Sequence, residues 1–342
     1  MLYHTLLVCK DAFGMVDWLG KNYYSLNAYF RNQYGQKCYK ISVSAGLSCP
    51  NRDGKLDNRG CIFCSAGGSG DFAVQNVCSI DKQIEEGLLR FNKKTGDLFV
   101  IYFQAYTNTY GDIDYLRQIW TRALKHPKVI GISIATRPDC LGQEVLDLLD
   151  ELNREYCNNN NLCEKVNDNN YIVQGHKKFI WVELGLQTIH EETAKYIRRH
   201  YTLDVFDKAV MDLNNIGIPY ITHIIFGLPG ENKDMMMETV KYVNGKKPFG
   251  VKLQLLHVLK GTDLATKYLD GMFNTLEINE YFDIVAEALK WIDKEVVIHR
   301  LTGDGPKNLL IAPLWSANKK AVLNGMNKKL TVEKIMQGQY LG

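Results

Sequence analysis

The sequence predicts an α/β fold in which parallel strands form a partial barrel with helices on the outside. Six apolar runs rich in β-branched residues recur along the 342-residue chain. Most are apolar on both faces, as in strands that are covered on both sides. Between them, apolar residues recur at helical spacing. This alternation gives about six βα units and favours a partial (β/α)6 TIM-like barrel over a doubly wound open sheet.

The apolar runs give the strands in chain order. The first is YKISVSAG, and the longest is the fourth, KFIWVELGLQT. The six predicted strands cover residues 39–46, 97–104, 129–138, 178–188, 220–229 and 250–259. A further run, EVVIHRL at 295–301, also resembles a strand.

Helices are predicted wherever apolar residues share one face of a 3.6-residue repeat. A later helix is predicted near 278–291. The apolar faces consist of Ile84, Leu88 and Phe91; Leu116, Ile119 and Ala123; Val145, Leu148, Leu149 and Leu152; Leu203, Phe206 and Val210; and Val240 with Val243. Each face is expected to pack against the sheet.

The same patterns divide the chain into a core and two extensions. Residues 1–38 are predicted to be an amino-terminal extension, and 39–260 the core barrel. Residues 261–342 form a carboxyl-terminal extension that completes the substrate side. The Asn-rich stretch 155–178 has few apolar residues and is predicted to be a long surface loop between the third helix and the fourth strand.

Composition sets only loose bounds on function. The net charge of +3 neither requires nor excludes a nucleic-acid partner. No apolar run approaches the ~18 residues of a membrane span, so no membrane partner is expected. The amino terminus lacks the basic start and cleavage site of a signal peptide, so we expect a cytoplasmic location.

Three of the nine cysteines are grouped on one polar, glycine-rich loop. Eleven residues separate Cys49 from Cys61, and Cys64 completes a C-x2-C pair. The loop follows the first predicted strand, and active groups of parallel barrels gather at the carboxyl ends of the strands. Such a loop can surround an inorganic group whose sulfurs accept hydrogen bonds from backbone amides.

Three thiolates leave two interpretations open. A structural zinc ion needs four ligands, and Cys78 or a distant His could be the fourth. That site would belong to a non-enzymatic, zinc-stabilised binding module. A [4Fe–4S] cluster normally takes four thiolates, so with three of them one iron stays open to a further ligand. An open iron at the catalytic face favours an enzyme.

The chain resembles radical S-adenosylmethionine (radical SAM) enzymes, whose first loop carries C-x3-C-x-aromatic-C. The CIFC segment matches the second half of that motif, and the first spacing is eleven residues instead of three. Such an expanded spacing resembles the branch that contains the catalytic subunit of Elongator, and within it the YhcC-like group. The resemblance covers roughly residues 22–318 and includes FQAYTNTY, SIATRPDCL, WVELGLQT, HIIFGLPGE, LLHVLKGT and HRLTGDGP.

The resemblance implies two cofactors, a [4Fe–4S] cluster and S-adenosylmethionine (SAM). Cys49, Cys61 and Cys64 would be the catalytic cysteines that bind three of the irons, and SAM would chelate the fourth. Reductive cleavage of SAM would give a 5′-deoxyadenosyl radical that takes hydrogen from the substrate. A flavodoxin- or ferredoxin-type protein would be the electron donor.

Further residues are predicted to bind SAM because they match family positions. Phe63 would lie near the adenine. Gln104, Thr107 and Asn108 stand where many relatives have a G-G-E-like turn that holds the methionine amine. No acid is present in this turn, so amide and hydroxyl oxygens would be the acceptors.

The later strands supply the remaining predicted SAM contacts. Arg137 would reach the cofactor carboxylate or pair with Asp139. Glu183 and Gln187 share one face of the fourth strand. They would bind the ribose hydroxyls or the amine, or form an internal hydrogen-bonded pair. The backbone of Gly227 and Leu228 would contact the adenine.

The substrate is predicted mainly from the resemblance. The YhcC-like group includes a tRNA-modifying member, and similarity to it implies conversion of a wobble-uridine carboxymethylaminomethyl side chain to aminomethyl. A small metabolite or a peptide is the alternative substrate. Predicted substrate contacts are Arg198 and Arg199, which could face a phosphate backbone, and His257, His299, Arg300 and Asp304.

Overall fold

The computed structural model describes residues 16–68, 79–91, 96–157, 163–167, 170–173, 176–303 and 305–341. Numbered along the chain, the strands are β1 Tyr39–Val43, β2 Phe99–Phe103, β3 Val129–Thr136, β4 Cys163–Asn167, β5 Asn170–Val173, β6 Phe179–Gln187, β7 Tyr220–Phe226, β8 Gly250–Leu255, β9 Val258–Leu259, β10 Val297–Arg300 and β11 Leu310–Ala312. The α-helices are α1 Leu26–Tyr34, α2 Ile80–Leu89, α3 Ile113–Lys125, α4 Gln143–Leu152, α5 Glu191–Tyr196, α6 Leu203–Asn215, α7 Lys233–Gly245, α8 Asp263–Leu269, α9 Ile278–Trp291 and α10 Lys319–Val332.

Seven strands form one curled sheet in the order β1-β2-β3-β6-β7-β8-β10. Every neighbouring pair is parallel. Within the described part of the chain β1 and β10 are not paired with each other, so the barrel is open. The predicted partial barrel and its six strands are confirmed, and the run at 295–301 supplies a seventh strand.

The helices begin and pack as their sequences predict. Asp112 caps α3 by accepting a hydrogen bond from the Tyr115 amide, which satisfies one of the free N–H groups of the first turn. On the inner face of α3, Leu116, Ile119 and Ala123 are buried against the sheet. The predicted helical faces are therefore core faces.

The Asn-rich insert differs from the predicted loop. Strands β4 and β5 pair in antiparallel register, with Cys163 opposite Val173. The short run Tyr171, Ile172 and Val173 has the β-branched and aromatic composition of a strand, and that local preference explains the hairpin. The insert still lies between α4 and β6, as predicted.

Helix α1 was not predicted, and it packs at the amino-terminal end of the barrel. Phe30 stacks on Trp181 of β6 with ring centroids 5.9 Å apart, and Trp181 stacks on Phe179 at 3.9 Å. These rings are buried with Val100 and Ile221 from other strands. Residues of the amino-terminal extension therefore help to form the barrel floor.

The carboxyl-terminal segment holds the chain that leads into α1. Gln337 accepts a hydrogen bond from the Tyr24 amide at 2.9 Å and donates to the carbonyls of Asp293 and Val296. The Ile298 amide of β10 donates to Tyr24 O at 2.8 Å. Across the described residues no helix combines the length and apolarity needed to cross a bilayer.

Candidate functional site

A cavity of about 440 Å³ opens at the carboxyl ends of the strands. Its wall includes the cysteine loop, strand residues and the segment after β10. Of the sequence-predicted site residues, it brings together Cys49, Cys61, Phe63, Cys64, Gln104, Thr107, Arg137, Glu183, Gln187, Arg199, His257 and Arg300. Residues from opposite ends of the chain thus share one cavity.

The backbone of the cysteine loop is fixed at several points. The Arg52 amide donates to Cys49 O at 2.8 Å, and the Cys64 amide to Cys61 O at 3.0 Å. Between the two cysteines of the C-x2-C pair, the Ile62 amide donates to Ile197 O, and Ile62 O accepts from the Leu264 amide. Hydrogen bonds therefore connect the C-x2-C turn to the residue that follows α5 and to the first turn of α8.

Two side chains of the loop hold the thiols in place. Asn51 donates to Cys61 Sγ at 3.4 Å and to Arg198 O at 2.8 Å. Arg52 donates to the carbonyls of Cys64 and Ser65. Gly60 has a φ of +77°, and a Cβ there would lie 2.8 Å from Arg52 Nε, so only glycine fits without displacement.

The electrostatic setting of the thiols favours a positively charged inorganic group. Burial raises the pKa of Cys64 to about 12. Burial also raises the pKa of Cys61, with Arg137 acting against the shift and Cys49 adding to it. A bound cation is therefore needed to keep these sulfurs as thiolates.

Among the residues that the structure describes, no three His, Cys, Asp or Glu side chains converge on one metal ion. A four-iron cluster would offer a separate iron to each of the three thiolates. Cys78, the suggested fourth zinc ligand, lies outside the described residues.

Some residues of the turn after β2 form hydrogen bonds to the neighbouring backbone, and others line the cavity. The Thr107 amide donates to Ser48 O at 3.2 Å, and Thr107 lines the cavity. Asn108 is fully buried outside the cavity wall, and its backbone and side-chain amides both donate to Ala135 O. The Asn108 amides thus hold the turn against β3, and a direct cofactor contact of Asn108 stays a prediction. Gln104 accepts a hydrogen bond from Ser42 Oγ at 3.0 Å.

Arg137 forms an ion pair with Asp139, which is one of the two partners that the sequence predicts for it. Its guanidinium donates to both carboxylate oxygens of Asp139, at 2.9 and 2.7 Å, and to Arg199 O. The planar guanidinium is thereby held at the edge of the cavity. Gln187 has a φ of +66°, and its side-chain amide lies against the carbonyls of Gly185 and Leu186.

Glu183 is the centre of a buried polar cluster. Oε1 accepts from Lys40 Nζ at 2.9 Å and from Ser133 Oγ at 2.6 Å. Oε2 accepts from Lys252 Nζ and lies 2.8 Å from His223 Nε2. Burial alone would raise the pKa of Glu183, but Lys252 and Lys40 hold it well below its usual value. The internal pairing that the sequence left open is present, and a contact of Glu183 with the ribose or the amine stays a prediction.

Gly227 and Leu228 lie outside the cavity wall. The Gly227 amide faces Met236 Sδ at 3.3 Å, and its φ of +82° is the turn that ends β7. Leu228 is buried in an apolar cluster that also contains Ile62 and Phe63. The predicted adenine contact is therefore not formed by these residues as the cavity stands.

Three predicted substrate residues have internal partners or lie outside the cavity wall, and their substrate role stays a prediction. His299 is buried at the barrel floor, 5.3 Å from the Trp181 ring, and lies outside the cavity wall. Arg198 pairs with Asp263 at 2.7 Å, also outside that wall. Arg199 lines the cavity, but its guanidinium donates to Tyr201 O, Thr188 O and Glu191. Internal acceptors hold both arginines.

Of the other predicted substrate residues, two line the cavity and one lies outside the described residues. His257 lines the cavity and lies 3.1 Å from Ser316 Oγ. Arg300 lines it at the end of β10. Asp304 lies outside the described residues.

Sequence reasoning missed the polar residues that surround Glu183. These residues are Lys40, Tyr102, His223 and Lys252, and each lies within a mainly apolar strand. A polar or charged residue that faces the interior of a barrel is costly in free energy unless it has partners. These residues could therefore have predicted a buried polar cluster. Only the tertiary arrangement shows that four strands direct them to one carboxylate.

The fold and the site together define a class of enzyme: an open parallel barrel whose thiolate loop lies at the carboxyl ends of its strands. Comparison with known proteins makes the class definite. Residues 172–243 match the Radical SAM superfamily, and 248–331 match the Radical_SAM C-terminal domain. YtqA of Bacillus subtilis is 40% identical over 94% of this chain and 93% of its own length. The chain belongs to the radical SAM superfamily, in the YhcC and Elongator-related branch.

Other relatives agree with that branch. YhcC of Escherichia coli is 32% identical over 91% of this chain and 92% of its own length. A tRNA uridine(34) acetyltransferase of Methanocaldococcus jannaschii is 27% identical over 40% of this chain and 26% of its own. The structure of Elp3 from Methanocaldococcus infernus, lacking its amino terminus, superposes with a TM-score of 0.64 at 16% identity, over 88% of this chain and 64% of that one.

The residues present fit the two cofactors of the superfamily, a [4Fe–4S] cluster and SAM. Cys49, Cys61 and Cys64 would hold the cluster, which supplies the electron that cleaves SAM to a hydrogen-abstracting radical. Asn51 donates to one thiol, and the charges of Arg52 and Arg137 lower the thiol pKa values that burial raises. The chain itself positions the thiolates and surrounds the reacting atoms.

Proposed function

We propose that the protein modifies tRNA, converting the carboxymethylaminomethyl side chain of a wobble uridine to aminomethyl with SAM as the oxidant. Loss of a hydrogen atom and an electron from the methylene next to the carboxylate would give an imine, and its hydrolysis by water would release glyoxylate and leave the amine. The observation that carries this proposal is the cavity itself, which joins the three thiols to a polar barrel interior. A hydrogen atom can be removed only from a substrate group that reaches this interior. The wobble base, with its extended side chain, is a substituent of suitable length.

Relatedness supports a tRNA substrate. A relative within the branch acts, by its name, on tRNA uridine 34. The cavity wall carries Arg52, Arg137, Arg199, Lys252 and Arg300, so an anionic ligand is favoured there. A flavodoxin- or ferredoxin-type electron donor and a cytoplasmic location remain predictions.

The cofactor assignment is tested by spectroscopy. We expect anaerobically reconstituted, reduced protein to give a [4Fe–4S]⁺ electron paramagnetic resonance signal that shifts when SAM is added. Cys61→Ala should remove the signal. Cys157→Ala, a buried thiol outside the cysteine loop, should keep it. A colourless protein that binds zinc stoichiometrically would contradict the assignment.

The substrate is tested with tRNA that carries the carboxymethylaminomethyl group. Reconstituted protein, SAM and reductant should yield aminomethyluridine in the nuclease digest, as measured by mass spectrometry. The Cys61→Ala variant should yield none, and Cys157→Ala should match the parent protein. An unchanged nucleoside profile, with SAM cleavage intact, would favour the small-metabolite or peptide alternative.

A further inference from the structure

Two lysines share one carboxylate in the barrel interior. Lys40 of β1 lies 2.9 Å from Glu183 Oε1, and Lys252 of β8 contacts Glu183 Oε2. We call Lys40 and Lys252 the lysine pair. The Glu183 side chain is fully buried, and the Lys252 side chain is 5% exposed. These charges are therefore far from bulk water.

The charges in this cluster do not balance. The two ammonium groups of the lysine pair face a single carboxylate, that of Glu183. Burial lowers the pKa of Lys252 to about 7, and an anion bound beside it would favour its charged form. Burial lowers the pKa of His223 to about 4, so the imidazole next to Glu183 is neutral. Arg300 adds to the positive potential at Lys252. Buried charge in excess is costly unless a counter-charge is present, so the cluster favours an anion.

Donor groups remain for such an anion. An ammonium group has three N–H donors. Lys252 donates to Glu183 and to the Tyr102 hydroxyl, which leaves one donor. Lys40 donates to Glu183 and otherwise faces the rings of Tyr102 and Trp181. Glu183 itself accepts no further partner.

The same cavity that contains the thiols reaches the lysine pair. Tyr102, Glu183, His223 and Lys252 belong to its wall together with the three cysteines. A group held by Lys252 would therefore lie deeper in the barrel than the cysteine loop, with the reacting atoms between them. Arg52 and Arg137, by contrast, act at the thiols.

We propose that Lys252, oriented by Glu183 and Lys40, binds the carboxylate of the substrate at the inner end of the cavity. This inference rests on the proposed function and specifies its substrate: the ligand is a carboxymethylamino group, whose acid end is a monoanion. The bound carboxylate would add a second negative charge beside the lysine pair. The methylene next to the carboxylate then lies towards the cysteine loop.

Activity of the full, reconstituted protein gives the first test. Lys252→Gln should lower kcat/KM for the modified tRNA roughly 10- to 100-fold, the loss expected for one hydrogen bond to a charged group. Lys252→Arg should retain most of it. The exposed lysine variant Lys260→Gln should match the parent protein. Iron content should be unchanged in all three, and SAM cleavage without tRNA should be unchanged in Lys260→Gln.

The alternative occupant is the carboxylate of SAM. If Lys252→Gln raises the KM for SAM and abolishes SAM cleavage while the cluster signal persists, the lysine binds the cofactor and the inference is overturned. Equal kcat/KM of Lys252→Gln and the parent protein would also overturn it.

A binding test separates the site from the tRNA proposal. N-methylglycine is a small mimic of the carboxymethylamino group, and N-methylglycinamide, which has no carboxylate, is its control. In saturation-transfer NMR the acid should give a signal with the parent protein, and the amide should not. Lys252→Gln should lose the signal, and Lys260→Gln should keep it.

The two failures are distinguishable. If tRNA stays unmodified but the acid binds in a Lys252-dependent way, the proposed function fails and the carboxylate site stands. If tRNA is modified but the Lys252→Gln signal equals that of the parent protein, the site fails and the function stands. Because Lys252→Gln removes a partner of Glu183, its melting temperature is compared with that of Lys252→Arg.

Discussion

At the scale of single residues, the site depends on positions where no other side chain fits. Gly60 lets Arg52 reach the carbonyls of Cys64 and Ser65, because a Cβ at Gly60 would meet the guanidinium. The sequence identified the three cysteines by their spacing. It could not identify Arg52 as the residue that holds the cysteine loop, because Arg52 acts through the carbonyls of Cys64 and Ser65, which lie more than ten residues later.

We expect Gly60→Ala to lower the iron content of reconstituted protein several-fold while the fold is retained. The substitution combines left-handed backbone strain of about 1–2 kcal/mol with displacement of Arg52. The control is Gly46→Ala, which has a φ of +68° and open space around its Cβ. Iron and sulfide analysis distinguishes the two. Equal iron content in both variants would show that the Arg52 contact is unimportant.

The buried histidines make stability depend on pH. Burial lowers the pKa of His223 to about 4 and that of His299 well below its usual value. The unfolded chain binds these protons near pH 6.5, whereas the folded chain does not. The free energy of unfolding should therefore fall as the pH drops from about 6.5 towards 4.

His299→Phe tests this effect away from the cavity. Lys40, Glu183, Lys252 and His223 are the charged or titratable groups that act on His299. Removing its proton should reduce the slope of unfolding free energy against pH by up to about 1.4 kcal/mol per pH unit below pH 6.5. Urea unfolding at several pH values measures it. An identical slope in both proteins would show that His299 is protonated in the folded state.

At the scale of elements, hydrophobic periodicity predicted the strands and the main helices because both faces of the sheet are covered. It missed α1, whose apolar residues are aromatic and pack end-on into the barrel floor instead of along a sheet face. It also missed the β4–β5 hairpin, where Asn-rich composition concealed a short strand. Side-chain contacts between strands, such as those of Glu183, depend on the register of the sheet. One sequence does not show that register.

We expect Phe30→Ala to destabilise the protein by about 3–5 kcal/mol, the usual cost of removing a buried aromatic ring. Phe30 is 2% exposed and stacks on Trp181. Arg31→Ala, on the exposed side of α1, should change stability by less than about 0.5 kcal/mol. Chemical unfolding compares the two variants. A small effect of Phe30→Ala would mean that α1 contributes little to the floor.

At the scale of the whole molecule, segments from the two ends of the chain meet. Gln337 connects Tyr24 to the loop that precedes β10 through three buried or partly buried hydrogen bonds. Asn22 donates to the carbonyls of Leu330 and Ile335. The segment from Leu330 to Gln337 therefore holds the chain before α1 in place. The stability of this segment should be coupled to the stability of the barrel floor.

Gln337→Ala should lower the free energy of unfolding by about 2–3 kcal/mol, because a buried amide and two carbonyls lose their partner. Gln339→Ala, exposed two residues later, is the control and should have little effect. Hydrogen exchange should show faster exchange of α1 amides in Gln337→Ala only. Unchanged exchange of α1 would show that the two ends are energetically independent.

The stack on the barrel floor also gives the protein an intrinsic optical reporter. Trp181 lies between Phe30 and the interior, and its ring is 5.8 Å from the Lys40 ammonium. The emission of an indole responds to nearby charge. A carboxylate that neutralises the lysine pair should therefore change the fluorescence of Trp181, and ligand entry could be followed in real time without a label.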